Sequence, residues 1–88
     1  MMVGYAGLNH LGLNTAIAAA SKGITVVGYD ENSQKISQLK KGKFSYEEPG
    51  LLKLYNKSKK KINFSSEVEK LSKCHIVYIS LDVKTDSF

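Results

Sequence analysis

The sequence has 88 residues, 42% of them hydrophobic, with a single cysteine and a net charge of +5. That length suits one small domain, no apolar run approaches the ~18 residues of a membrane-spanning helix, and one cysteine without a disulfide partner favours a reducing cytoplasm. The lack of a long apolar run predicts no membrane partner. All thirteen basic residues are lysines, and without the bidentate contacts of arginine we predict no nucleic-acid partner.

Short apolar runs alternate with stretches of helical periodicity. The predicted elements, in chain order, are a strand over Met2–Ala6, a helix over about 11–22, a strand over 24–29, a helix over about 32–41, a loop over 43–49, a short helix near 50–58, a strand over 61–64, a helix over 66–73 and a strand over 75–81. This alternation predicts a parallel sheet with right-handed crossovers. We expect an α/β, Rossmann-like doubly wound sheet of order 3-2-1-4, with residues 1–88 forming a partial domain truncated after strand four.

Local signals mark the ends and the inner faces of the helices. The second helix has Asn32 or Ser33 as its N-cap, Gly23 and Gly42 follow helix ends, and the stretch from Ser66 to Glu69 is a capping-box pattern. The apolar positions expected to face inward are Ala16, Ile17, Ala20, Ile36, Leu39, Leu51, Leu52 and Tyr55.

The fourth predicted strand carries apolar residues on both faces. In the order 3-2-1-4 it lies at the edge of the sheet, where unpaired backbone groups invite pairing with another strand. The sequence therefore predicts a homo-oligomer formed through the edge of strand four.

A glycine-containing turn lies between the first strand and the first helix, where dinucleotide sites place their phosphate-binding loop. Gly7 is placed for the tight turn, Gly12 for close approach of helix and strand, and the helix N-terminus for a pyrophosphate. Asn9 replaces the middle glycine of the usual G-x-G-x-x-G, a position where a side chain can obstruct the phosphates; asparagine tolerates the left-handed backbone that such a turn can need. The candidate cofactor-binding residues of this turn are Gly7, Leu8, Asn9, His10, Leu11 and Gly12.

An acidic residue, Asp30, ends the second strand at the place where a carboxylate accepts hydrogen bonds from an adenosine ribose. The carboxylate would repel a 2′-phosphate and no arginine follows, so the pattern favours NAD over NADP. Lys35, in the first turns of the next helix, is a candidate for contact with the same ribose; a solvated helix lysine is the alternative.

These motifs together resemble the N-terminal domain of the UDP-glucose/GDP-mannose 6-dehydrogenase family over almost the whole chain. The family's G-x-G-Y-V-G-L corresponds to residues 7–13. Its V-x-G-x-D corresponds to the segment that ends in Val27–Asp30, and its basic residue five positions on corresponds to Lys35. Its L-x-x-G and E-P-G-L elements correspond to residues 39–42 and 48–51. The E-P-G-L element is the most specific, because other Rossmann dehydrogenases usually lack it.

The resemblance implies that NAD is the cofactor in oxidation of the C6 alcohol of a UDP- or GDP-sugar to a carboxylate. Thr85 matches the last residue of a T-P-T segment that touches the cofactor in the family. The family's catalytic Cys, Lys and Asn lie further along its chain, so we expect no catalytic residue and no metal site here, and a nucleotide-sugar partner only for the complete enzyme. Cys74 is expected to be a buried structural thiol.

Two other interpretations remain open at this point. The departures at Asn9 and in residues 83–85 are compatible with a degenerate Rossmann-like module that binds no cofactor and acts in oligomerisation or partner binding. The chain could also be the cofactor domain of another hydroxyl dehydrogenase, although the E-P-G-L element disfavours that assignment.

Overall fold

A computed structural model describes residues 1–44 and 50–80. The helices and strands are β1 (Met2–Ala6), α1 (His10–Ser21), β2 (Thr25–Tyr29), α2 (Ser33–Lys40), α3 (Leu51–Ser58), β3 (Ile62–Ser65) and β4 (Ile76–Ile79), with 3₁₀ helices at Lys59–Lys61 and Val68–Lys73. The strands form one sheet of order β3-β2-β1-β4, and every neighbouring pair is parallel. The predicted doubly wound topology is confirmed, and each strand lies within two residues of its predicted ends.

The core beneath α1 is built from small side chains. Ala16 and Ala20 of α1 pack on Val26 of β2, and all three are almost completely buried. Both alanines were predicted to face inward, and their small side chains suit close packing of the helix on the sheet. The larger Leu13 and Ile17 continue the contact toward the next helices and are equally buried.

A second cluster joins α2 and α3 to the end of the sheet. Ile36, Leu39, Leu51 and Tyr55 pack together with Phe64 of β3. Leu52 was also expected to face inward, but its side chain is 48% exposed. Leu51 and Tyr55 are four positions apart and share one face of α3, whereas Leu52 lies about 100° further round the helix.

The α-helix predicted over residues 66–73 is instead the 3₁₀ helix Val68–Lys73. Its capping box does not form, because Glu67 takes the N-cap position without a side-chain hydrogen bond and the Oγ of Ser65 accepts the Glu67 N–H at 3.0 Å. Of its residues only Leu71 is as much as half-buried. Because this segment buries so little apolar surface, packing gives an α-helix little stabilisation here, and the segment remains a 3₁₀ helix.

The helix ends elsewhere follow the sequence signals. The Oδ1 of Asn32 accepts the backbone N–H of Lys35 at 3.1 Å and so caps α2, as one of the two candidates predicted. Gly23 and Gly42 come directly after the C-cap residues of α1 and α2. These signals act within a few residues, which is why the sequence located them.

Strand β4 is an edge strand within the described part of the chain, as predicted. It pairs with β1, and Tyr78 stacks on Tyr5 across that pair with ring centroids 5.4 Å apart. Its four residues are 39–72% exposed. The predicted strand also included Leu81, which lies outside the described residues. No helix among residues 1–44 and 50–80 is long and apolar enough to cross a membrane.

Candidate functional site

A groove of about 420 Å³ lies where β1, β2 and β4 end at their carboxyl sides. Its position is the switch point of the sheet, because the chain leaves β1 toward β2 on one side while β4 lies on the other, and doubly wound proteins bind ligands at such points. The residues that line it are Ala6, Gly7, Asn9, Tyr29, Asp30, Glu31, Asn32, Lys35, Ile79 and Ser80.

The floor of the groove is the turn from β1 into α1, and it requires glycine at two positions. Gly7 has φ 98°, in the left-handed region, and a Cβ there would collide with the carbonyl oxygen of Ser80. A Cβ at Gly12 would collide with the carbonyl oxygen of Gly7. The turn is therefore tight at Gly7 and the helix packs closely at Gly12, as the spacing of the two glycines predicted.

Helix α1 begins at His10 with Asn9 as its N-cap residue. The carbonyl oxygen of Asn9 accepts the N–H of Leu13 at 2.9 Å, but the side chain of Asn9 makes no capping hydrogen bond to the first turn. The backbone of Asn9 is extended, at φ −80° and ψ −167°, so its tolerance of a left-handed conformation, which the sequence suggested as the reason the turn survives, is not used. Gly7 absorbs the left-handed geometry instead.

Asp30 follows β2 and faces the turn. Its Oδ2 accepts the N–H of Leu8 and its Oδ1 accepts the N–H of Asn32, both at 3.0 Å. Desolvation by partial burial raises the pKa of Asp30, but these two backbone hydrogen bonds, with the charge and hydrogen bond of Lys35, outweigh it, so the pKa lies below its usual value. The carboxylate is therefore ionised at neutral pH.

Lys35 reaches across the groove from the first turn of α2. Its Nζ lies 2.8 Å from Asn9 Oδ1 and 3.5 Å from Asp30 Oδ2, and its side chain is 29% exposed. Lys35 is therefore not a solvated helix lysine without partners, which was the alternative considered from the sequence. Sequence reasoning also missed the partnership of Lys35 with Asn9, because the two residues are 26 positions apart and meet only through the β1-α1-β2 crossover.

The other candidate residues have distinct positions. Leu8 is buried and contributes its backbone N–H to Asp30, whereas the side chains of His10 and Leu11 are exposed at the start of α1. Thr85 lies outside the described residues, as do Glu48 and Pro49 of the E-P-G-L element.

Cys74 precedes β4 at the end of the sheet opposite the groove. It is half-buried, not fully buried as expected, with its Sγ filling space that the lack of a side chain at Gly4 leaves open. Burial raises the pKa of the Cys74 thiol, which makes it a poorer nucleophile at neutral pH. Within the part of the chain that the structure describes, no cluster of His, Cys, Asp or Glu could hold a metal ion.

Residues 1–86 match the profile of the UDP-glucose/GDP-mannose dehydrogenase family, NAD binding domain. The chain belongs to this family. Its fold has a TM-score of 0.87 to UDP-D-ManNAc dehydrogenase from Pyrococcus horikoshii, at 31% identity over 92% of this chain and 20% of that one. The family match supports neither a different class of dehydrogenase nor a module that binds no cofactor.

Two curated relatives extend the comparison. The chain is 48% identical over 48 residues to UDP-N-acetyl-D-mannosamine dehydrogenase of Methanococcus maripaludis, covering 54% of this chain and 11% of the relative. It is 34% identical over 86 residues to a putative UDP-glucose 6-dehydrogenase of Bacillus subtilis, covering 92% of this chain and 19% of the relative. The chain thus spans a fifth or less of the length of these family members.

Proposed function

We propose that this chain binds NAD in the groove at the ends of β1, β2 and β4, as the cofactor-binding portion of a nucleotide-sugar 6-dehydrogenase. The observation that carries the proposal is the joint placement of the Gly7 turn, the N-terminus of α1 and the Asp30 carboxylate around one groove. The residues present fit the cofactor, because glycine at positions 7 and 12 forms a tight turn without side chains beside the phosphate-binding N-terminus of α1. A Cβ at either position would collide with a backbone carbonyl oxygen. We place the pyrophosphate over residues 8–12 and the adenosine ribose at Asp30.

The charges at the ribose end favour NAD over NADP. An ionised Asp30 can accept a hydrogen bond from a ribose hydroxyl and repels a 2′-phosphate. Lys35 is the one cation lining this groove within the described residues, and its ammonium already contacts both Asp30 and Asn9. Little positive charge is left to hold a 2′-phosphate, and Lys35 is placed to contact the ribose that Asp30 binds.

We propose that the whole enzyme oxidises the C6 alcohol of a UDP- or GDP-sugar to a carboxylate in two successive two-electron steps, with water providing the second oxygen. NAD, when bound in this groove, would supply the hydride acceptor for each step. The residues of this chain hold and orient the adenosine and pyrophosphate, and Thr85 is a further proposed contact. They supply no catalytic group, since the single cysteine lies at the far end of β4 from the groove. We therefore propose that the chain alone does not oxidise nucleotide sugars.

We further propose that the chain acts in the cytoplasm and self-associates through β4. The support for self-association is the row of four exposed apolar residues on a strand whose other edge pairs with no strand of the described chain. Patches of this kind are uncommon on stable monomers unless they serve an interface. The support for the cytoplasm is the unpaired Cys74, since reducing compartments keep thiols free.

Calorimetric titration of the chain with NAD, NADP and ADP-ribose tests the proposed site. Asp30→Ala should weaken the binding of NAD and of ADP-ribose by ~1–3 kcal/mol, because a charged hydrogen-bonding group is lost. The unmodified chain should bind NAD more tightly than NADP. Glu69→Ala is the control, because Glu69 is an exposed carboxylate in the 3₁₀ helix Val68–Lys73 and does not line the groove. Equal affinities of the Asp30 variant and the unmodified chain, or preference for NADP, would show that the placement is wrong.

A further inference from the structure

Asn9 occupies the N-cap position of α1 but does not behave as an N-cap. Asparagine is among the residues that most favour this position, because its side-chain oxygen accepts a backbone N–H from the first turn. In this structure no such hydrogen bond forms. Asn9 Oδ1 is instead 2.8 Å from the Nζ of Lys35, a residue of a different helix.

The partner is itself held from several directions. The backbone N–H of Lys35 is bonded to Asn32, which fixes the first turn of α2. Its ammonium lies within 3.5 Å of the Asp30 carboxylate, which is 12% exposed and already anchored by Leu8 and Asn32. The lysine therefore approaches Asn9 from a fixed direction, on the α2 side of the groove.

From this arrangement we infer that Lys35 is a positioning residue, which holds the side chain of Asn9 away from the backbone N–H groups of Leu11 and Gly12 and leaves these two groups for a diphosphate. The inference rests on the proposed function. It gives a physical reason why a dinucleotide site can carry a side chain where the usual pattern has glycine. Without the lysine, the Asn9 side chain would turn to cap α1 and compete with the phosphates for the same N–H groups.

The size of that competition follows from the strength of a side-chain cap. When Lys35 is removed and the Asn9 side chain caps α1, we expect diphosphate affinity to fall about five-fold. This loss corresponds to the ~1 kcal/mol typical of such caps. The loss adds to whatever Lys35 contributes to ribose binding directly. The two contributions separate because only the first requires Asn9 and only the first acts on the phosphates.

Amide hydrogen exchange by NMR tests the inference without any ligand. Lys35→Met should slow exchange at Leu11 and Gly12, the second and third residues of α1, because Asn9 becomes free to cap them. In the Asn9→Gly background the same substitution should leave these amides unchanged. Lys35→Gln is too short to reach Asn9 and should act like Lys35→Met, whereas Lys35→Arg should retain fast exchange. Lys40→Met is the control for loss of an exposed lysine from the same helix. Equal exchange in Lys35→Met, Lys35→Gln and the unmodified chain would overturn the inference.

Binding of ADP and of adenosine is the second test. It compares the unmodified chain, Lys35→Met, Asn9→Gly and the double variant. For ADP, Lys35→Met should lose about five-fold more affinity in the unmodified background than in Asn9→Gly, and for adenosine the two losses should be equal. Equal losses for ADP in both backgrounds would also overturn the inference, while the NAD site would stand. If neither ligand nor NAD binds any of the chains, the proposed function fails, and the exchange measurements alone decide the role of Lys35.

Discussion

Asp30→Asn should destabilise the fold and remove part of its pH dependence. The carboxylate accepts two backbone hydrogen bonds at 3.0 Å and lies 3.5 Å from Lys35. An amide retains the shape but has one accepting oxygen, so one N–H loses its acceptor and the ion pair disappears. A charged hydrogen bond contributes ~1.5–3 kcal/mol, and since this one faces a solvent-open groove we expect a loss of about 1–2 kcal/mol.

The pH dependence has a definite sign. Because the pKa of Asp30 is lower in the folded chain than in the unfolded one, its stabilisation is fully present above the unfolded value of ~3.9 and is lost as pH falls through the folded value. The difference in unfolding free energy between the unmodified chain and Asp30→Asn should therefore shrink on acidification below that value. Urea denaturation followed by circular dichroism, at neutral pH and at a series of acidic values, measures it.

Glu31→Gln is the matched control for this experiment, because it removes an adjacent, exposed carboxylate. It should change the free energy of unfolding by less than about 0.5 kcal/mol, as surface substitutions usually do. If Asp30→Asn is as stable as the unmodified chain at neutral pH, or if their difference is the same at every pH, the account of the Asp30 carboxylate is refuted.

Two further predictions concern the turn and the sheet edge. Gly12→Ala should destabilise the chain by ~1–3 kcal/mol in urea denaturation, because its Cβ meets the Gly7 carbonyl. Ser21→Ala, at the exposed end of α1, is the control and should not destabilise the chain. Equal stability of the two variants would contradict the close packing at Gly12. In light scattering at micromolar concentration the chain should be at least dimeric, and Ile76→Lys on β4 should make it monomeric. Leu52→Lys on α3 is the control and should leave the mass unchanged. If the unmodified chain is already monomeric, pairing through β4 is ruled out.

Much of the architecture was readable from the sequence because the signals that specify it are local or follow general rules of connection. The alternation of strands and helices, with right-handed crossovers, led to the order 3-2-1-4, and the structure has that order. Gly7 and Gly12 were predicted to form a tight turn and a close helix contact because no other residue fits such backbone geometry. Asp30 was predicted to end the second strand, and in the structure it directly follows β2 and lines the groove.

Other features were decided only by tertiary packing. Whether residues 66–73 form an α-helix depended on how much of their apolar surface is buried in the fold. Val68 stays 54% exposed and only Leu71 is half-buried, and the capping-box pattern carried no measure of that burial. The half-burial of Cys74 depended on the space beside Gly4. The contact of Lys35 with Asn9 depended on two helix starts being brought to the same end of the sheet, and the choice of Asn9 between capping its own helix and binding Lys35 is made by the position of that ammonium in space.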